Sequence, residues 1–293
     1  MIRRIEVTHI PALPLRERAM SVYEQLCEPL RAYLESQNWT PTPIQEVATG
    51  PLLSGLDRVL VAPTGSGKTE AAVLPVLSNC HSQEWGPMSI LYVTPLRALN
   101  RDIDRRLEGL ASIANLEVGL RHGDTPQSER NRQSRKPPHL LVTTPETLQI
   151  MLTGKRLREH LRNVRTIIVD EVHEVAASER GSQLLVGITR VEEMAKRVIQ
   201  RIGLSATVGN PTEVARWLSP ERGDAIVADA PRNTEVRITC SQPEDADEAI
   251  ALEHNTSPQA MASLRMLAGR LKADAPSLVF VNSRNAAETV ASR

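Results

Sequence analysis

Aromatic side chains are nearly missing from this 293-residue chain: three Trp, three Tyr and a single Phe make up 2% of it. A protein that grips single strands by stacking bases needs several such platforms, so that class is excluded. Cysteine is as scarce. Cys27, Cys80 and Cys240 lie far apart with no CxxC pair, which excludes a zinc ribbon or a disulfide frame and points to a reducing, cytoplasmic setting. Charge of either sign is not in excess, with 35 Lys and Arg against 35 Asp and Glu, so net charge offers no case for a polyanionic partner. No charged-then-apolar leader opens the chain, and no apolar run approaches the roughly 20 residues that span a bilayer. A soluble protein without a membrane partner is expected; oligomeric state is open.

What the chain does have is alternation. Short β-branched runs recur at Arg58 to Ala62, Ile90 to Thr94, Leu140 to Thr143, Thr166 to Asp170 and Arg201 to Ser205, each bounded by turn or polar residues, and read as buried strands. Helical spacing fills the gaps, as over Leu96 to Ala111, where Leu96, Leu99, Ile103, Leu107 and Leu110 fall on one face. Strand and helix in turn predict an α/β fold, a parallel sheet covered by helices on both faces.

The expected organisation is a helical lead-in over 1–37, with periodicity from Leu15 to Ser36, and a main domain over 38–240 that closes with an edge strand at Thr234 to Cys240. A linker follows over 241–257, where the composition turns acidic. Residues 258–293 read as the incomplete start of a second domain: a helix from Pro258 to Lys272, a strand at Ser277 to Val281 and a helix from Arg284. About 36 residues are too few to bury a core unaided.

The stretch "APTGSGKTE", Ala62 to Glu70, carries the chemistry. Ala62, Gly67, Lys68 and Thr69 fit the phosphate-loop pattern with Ala in place of its first Gly. A strand delivers the chain into Pro63, Thr64, Gly65, Ser66 and Gly67, whose backbone N–H groups can turn inward around an anion. Lys68 would pair with the terminal phosphates and the Thr69 hydroxyl would bind Mg2+. A second anchor lies in "TIIVDEVH", where an apolar strand ends in Asp170 and Glu171 at the carboxyl edge of the sheet. Asp170 would hold Mg2+ through water, and Glu171 would orient and deprotonate the attacking water. Paired acids at a strand end more often cap a helix; beside a phosphate loop that explanation loses weight.

"APTGSGKTE", "TPLRALNRD", "RHGDTPQSER", "TTPETL", "DEVHE" and "LSATVGNP" stand in the order and approximate spacing of the first motor domain of superfamily 2 DEAD/DEAH-type helicases. The wording most resembles the large helicase-related (Lhr) proteins, from about Pro41 to Pro211, with a further helicase-like "LVFVNSR" at Leu278 to Arg284. The resemblance implies a RecA-like P-loop ATPase domain followed by the truncated start of a second RecA-like domain. It implies ATP and Mg2+ as cofactors, with Gln45 reading adenine. Ser205, Ala206 and Thr207 would couple hydrolysis to strand separation, with His173 as their partner beside the nucleotide. It also implies a nucleic-acid track through Thr94, Pro95, Arg97, Arg101, Gly123, Asp124, Thr144 and Pro145, touching the sugar-phosphate backbone, which suits a motor that does not read sequence.

The partner implied is DNA or an RNA:DNA hybrid. Local charge agrees, with fourteen Lys or Arg against nine Asp or Glu between Ile90 and Asp170; the run "SERNRQSRK", Ser128 to Lys136, reads as a solvated helix face with a smaller chance of touching the strand. Family members close their ATP site between two motor domains, so the 293 residues alone are expected to hydrolyse ATP poorly. Two other readings stay open: a nucleotide-gated nucleic-acid binding module without motor activity, and a small-molecule kinase or GTPase sharing only the phosphate loop.

Overall fold

The computed structural model describes residues 22–95, 100–176, 178–206, 208–228, 239–253, 256–271, 277 and 279–292. In chain order these form α1 (Glu28–Ser36), α2 (Pro43–Leu53), β1 (Arg58–Val61), α3 (Lys68–Ser82), β2 (Ile90–Val93), α4 (Asn100–Ile113), β3 (Val118–Arg121), α5 (Gln127–Arg135), β4 (Leu140–Thr143), α6 (Pro145–Thr153) and α7 (Lys155–His160). Then follow β5 (Thr166–Val169), α8 (Val172–Ala176), α9 (Glu179–Ala195), β6 (Gln200–Ser205), α10 (Pro211–Leu218), β7 (Asp224–Val227), α11 (Asp245–Glu253), α12 (Pro258–Ala268) and α13 (Arg284–Ser292). None of the described helices is long and apolar enough to cross a membrane. By contacts the chain divides into two units, Met1–Pro231 and Arg232–Arg293.

The first unit holds a seven-stranded sheet in the order β3-β4-β2-β5-β6-β1-β7, every pairing parallel. Successive residues of a strand face opposite sides of the pleat, and the strands divide their apolar side chains accordingly. Leu60, Ile90, Tyr92, Leu140, Val142 and Ile168 enter one core with α1 to α4. Val59, Val61, Leu91, Val93, Leu141, Ile167 and Val169 enter the other with α6, α9 and α10. Each fully buried Leu or Ile contributes about 1.5–3 kcal/mol, and having both faces apolar is what gives the five central strands their continuous runs. The flanking strands differ: Val118–Arg121 and Asp224–Val227 are only partly buried, so β3 and β7 leave no such run in the sequence.

In the second unit, the stretch expected as a linker holds α11. Asp245, Asp247 and Glu248 crowd its first turn, where carboxylates favour the positive end of the helix dipole. Buried Asp247 accepts from Arg265 of α12 at 3.0 and 3.1 Å. Small buried contacts, Ala251 and Ala262, replace the large apolar stripe that sequence periodicity detects. The helices expected from Pro258 and Arg284 form. The strand expected at Ser277 to Val281 does not form at 279–281, which carry no strand pairing and leave Phe280 exposed; an isolated strand has no ladder to satisfy its backbone. Most of the strand expected at Thr234 to Cys240, and the start of the helix expected from Leu15, fall outside the described residues.

Candidate nucleotide and nucleic-acid site

Parallel strands present their carboxyl ends along one rim, and the strand order sorts the expected site residues there. β1, β5 and β6 deliver the phosphate loop, Asp170 with Glu171, and Ser205. β3, β4 and β2 deliver Gly123 with Asp124, Thr144 with Pro145, and Thr94 with Pro95. The two groups occupy adjacent halves of the rim, and the β2–β5 pairing is their seam.

In the nucleotide half, Gly65 and Gly67 take φ of +76° and +81°, conformations that favour glycine. They turn the loop into α3, whose first residue is Lys68, so the unpaired N–H groups of a helix start face the loop. At Gly67 a Cβ would also lie 2.5 Å from Gln45 Nε2, so a larger residue there would displace the Gln45 amide. The Lys68 ammonium donates to Ala62 O at 2.6 Å and Pro63 O at 2.8 Å. Three donors minus two leaves one for an anion.

Gln45 is buried, with both ends of its amide engaged: Oε1 accepts from the Thr42 N–H at 3.0 Å and Nε2 donates to Gly67 O at 3.2 Å. One amide hydrogen and one lone pair remain. Together these groups border a cavity of about 430 Å³, reached also by Trp39, Glu70 and Arg106, a volume within the range of small-molecule sites. Within the loop the buried Ser66 hydroxyl has no partner, and such a group calls for a polar ligand or water.

Opposite the loop, Asp170 Oδ2 accepts from the Tyr92 hydroxyl at 2.7 Å and Oδ1 from the Glu171 N–H at 2.9 Å. Glu171 has φ of +45°, sparsely populated for a side chain of its size and of the kind stored at functional sites. Burial pushes the carboxyl groups of Asp170 and Glu171 above the usual carboxylate range, and for Glu171 the neighbouring Asp170 adds to it. Burial lowers the Lys68 ammonium, against the pull of Glu171 and Asp170. Two partly buried acids whose ionisation is opposed are an arrangement that a divalent cation relieves. Among the described residues no three or more His, Cys, Asp or Glu side chains are grouped so that they could hold a metal ion by themselves. That suits Mg2+, which takes one or two protein ligands and completes its shell with phosphates and water.

His173, on α8, shares its Nδ1 between the Ser205 hydroxyl at 2.9 Å and Glu171 Oε2 at 3.5 Å, so the expected coupling pair meets. Ala206 follows at the end of β6, and Thr207 lies outside the described residues.

The half expected to carry nucleic acid is less uniform. Gly123 and Asp124 are exposed. Thr94, Pro95, Thr144 and Pro145 are buried: the Thr94 N–H pairs with Thr143 O, and the Thr144 hydroxyl accepts from Thr147 N at the start of α6. Arg97 and the side chain of Arg101 lie outside the described residues. The basic run on and after α5 is largely solvated, with Arg132, Arg135 and Lys136 exposed, and only Arg130 turns inward. Arg130 donates to the carbonyl oxygens of Thr125, His122 and Gly123 at 2.9, 3.1 and 2.6 Å, while Arg132 pairs with Glu129 and Lys136 with Glu117.

Sequence reasoning missed Tyr92, Arg130 and the ion pair of Glu70 with Arg106. Only Tyr92 left a signal, a polar aromatic within the aliphatic run "ILYV", where a buried hydroxyl requires a partner.

A family model described as DEAD/DEAH box helicase matches residues 42–214. The chain is 38% identical over 270 residues to the Lhr helicase/probable uracil glycosylase of Mycolicibacterium smegmatis, covering 86% of the chain and 17% of that protein. It is 33% identical to the ATP-dependent helicase Lhr-Core of Methanocaldococcus jannaschii, covering 92% of the chain and 33% of that protein. It thus spans about a sixth of the first of these relatives and a third of the second. Among solved structures, the Mycobacterium smegmatis helicase Lhr bound to ssDNA and AMP-PNP superposes with a TM-score of 0.78 at 35% identity, over 92% of this chain and 36% of that one. The DUF1998 helicase MrfA bound to DNA superposes at 0.61 with 26% identity, over 71% and 30%.

Proposed function

Since the chain belongs to the DEAD/DEAH box helicase family, with its RecA-like α/β sheet, we propose that it is the first motor domain of an ATP-dependent helicase or translocase acting on DNA, or on RNA:DNA hybrids. The observation that carries this reading is the convergence of Lys68, Thr69, Asp170 and Glu171 on one cavity. A relative solved with AMP-PNP and ssDNA supports ATP and a single strand as ligands.

In this reading the free hydrogen of Lys68 and the amides of the loop hold the terminal phosphates. Thr69 and Asp170 hold Mg2+, which supplies charge neutralisation on the phosphate oxygens when bound. Glu171 takes the proton of the attacking water, its raised proton affinity suiting a base. The unused hydrogen and lone pair of Gln45 meet the adenine edge, already oriented by Thr42 and Gly67. His173 and Ser205, bonded to each other and close to Glu171, sense the state of the phosphate. A titration of the chain with fluorescent ATP in Mg2+ tests the assignment. Competition by ATP well ahead of GTP is expected; GTP competing equally or better would favour a phosphate-loop enzyme of another kind.

The strand runs along β3, β4 and β2, past the exposed Gly123 and Asp124, and the buried Thr94, Pro95, Thr144 and Pro145 shape the rim beneath. Arg130 then works from inside, its guanidinium tying three carbonyls of the 122–125 turn. Arg130→Ala is expected to weaken single-strand binding about tenfold while leaving the slope of log K against log salt unchanged. Loss of a direct phosphate contact would instead reduce that slope by about 0.7 for a single strand. Binding isotherms at several salt concentrations separate the two.

A further inference from the structure

Tyr92 sits at the seam between the two halves of the rim. It is fully buried in β2, beside β5 in the sheet, with Tyr92 opposite Ile168. Phe in its place would fill the same space without burying a hydroxyl, and a buried hydroxyl costs free energy unless it is partnered. The partner is specific. The hydroxyl donates to Asp170 Oδ2 at 2.7 Å, and the side chain of Thr69 lies within hydrogen-bonding reach of the Tyr92 hydroxyl itself. The next residue of β2 fixes the main chain, since the Asp170 N–H donates to Val93 O at 2.8 Å. With Oδ1 held by the Glu171 N–H, the Asp170 carboxylate is anchored at both oxygens and its backbone is anchored as well.

We propose that Tyr92 is a positioning residue for the metal–nucleotide complex: its hydroxyl orients Asp170, and keeps Thr69 beside it, so that both present their oxygens to Mg2+. This rests on the nucleotide reading above and adds a residue to it. Groups that orient a metal ligand commonly change metal affinity by 10- to 100-fold when removed. A ligand that reaches its cation through water belongs at the lower end of that range. Tyr92 touches neither phosphate nor attacking water in this role, so its effect is confined to what depends on the cation.

The test is ATP binding by the 293-residue chain in excess Mg2+ and in EDTA, for the unaltered protein, Tyr92→Phe, Asp170→Asn and the double variant. Tyr92→Phe is expected to weaken binding about tenfold in Mg2+, to raise the Mg2+ concentration at half-saturation, and to leave binding in EDTA unchanged. In the Asp170→Asn background, Tyr92→Phe is expected to add nothing. Equal losses in Mg2+ and EDTA would mean that Tyr92 only packs the core, and no loss in Mg2+ would mean that its hydroxyl does not orient the ligand; either overturns the proposal. If the unaltered chain binds ATP no better with Mg2+ than without, the functional reading falls first and this inference with it.

Discussion

Glu171→Gln is expected to leave ATP affinity within about twofold of the unaltered protein while lowering the rate of ATP hydrolysis by two to four orders of magnitude, the range that general-base catalysis commonly contributes. Glutamine keeps the size and much of the hydrogen bonding of glutamate but cannot accept a proton. The Glu171 N–H that anchors Asp170 belongs to the main chain and survives the exchange. His173 keeps Ser205 as its other neighbour. The site therefore stays assembled and loses one chemical step. Nucleotide titration together with single-turnover phosphate release checks both halves, and an unchanged rate would remove Glu171 from the mechanism.

Lys68→Ala should act earlier, on binding as well as turnover. A hydrogen bond from a charged group is worth about 1.5–3 kcal/mol, so ATP affinity is expected to fall roughly 10- to 100-fold. Loss of a donor aimed at developing charge costs about a further 100- to 1,000-fold in rate. Fold stability should change little, because the ammonium is only partly buried and binds two carbonyls at the loop edge. Single-strand affinity without nucleotide should persist. A protein that is a motor loses its nucleotide-driven work and keeps this passive grip. A phosphate assay and strand-binding isotherms on the same preparation measure the two separately; turnover near that of the unaltered protein would place the nucleotide elsewhere.

The parts that were legible in the sequence share one physical property: they depend on residues near one another in the chain. The phosphate loop is a run of nine residues whose glycines and lysine act within a single turn, so the pattern and the geometry coincide. The central strands are apolar on both faces and announce themselves. The edge strands β3 and β7 are half-exposed and leave no run. The helix α11 is held by an Asp247–Arg265 pair and small alanines rather than by a stripe of large apolar residues. Contacts between distant segments were invisible for the same reason. Nothing in the sequence links Tyr92 to Asp170, 78 positions away; the β2–β5 pairing creates that link. On α5, one helical turn decides which arginines face the solvent and which, like Arg130, close a neighbouring turn, and composition alone cannot distinguish them.

ATP phosphates belong, in the proposed function, to the loop between β1 and α3, with the acids after β5 across from them. A crystal structure of the chain with a nonhydrolysable ATP analogue and Mg2+ tests it most directly. Lys68 Nζ is expected within about 3 Å of a terminal phosphate oxygen, with the cation between Thr69 and Asp170. Phosphates bound away from this loop, or Lys68 still committed wholly to the Ala62 and Pro63 carbonyls beside a bound analogue, would contradict it.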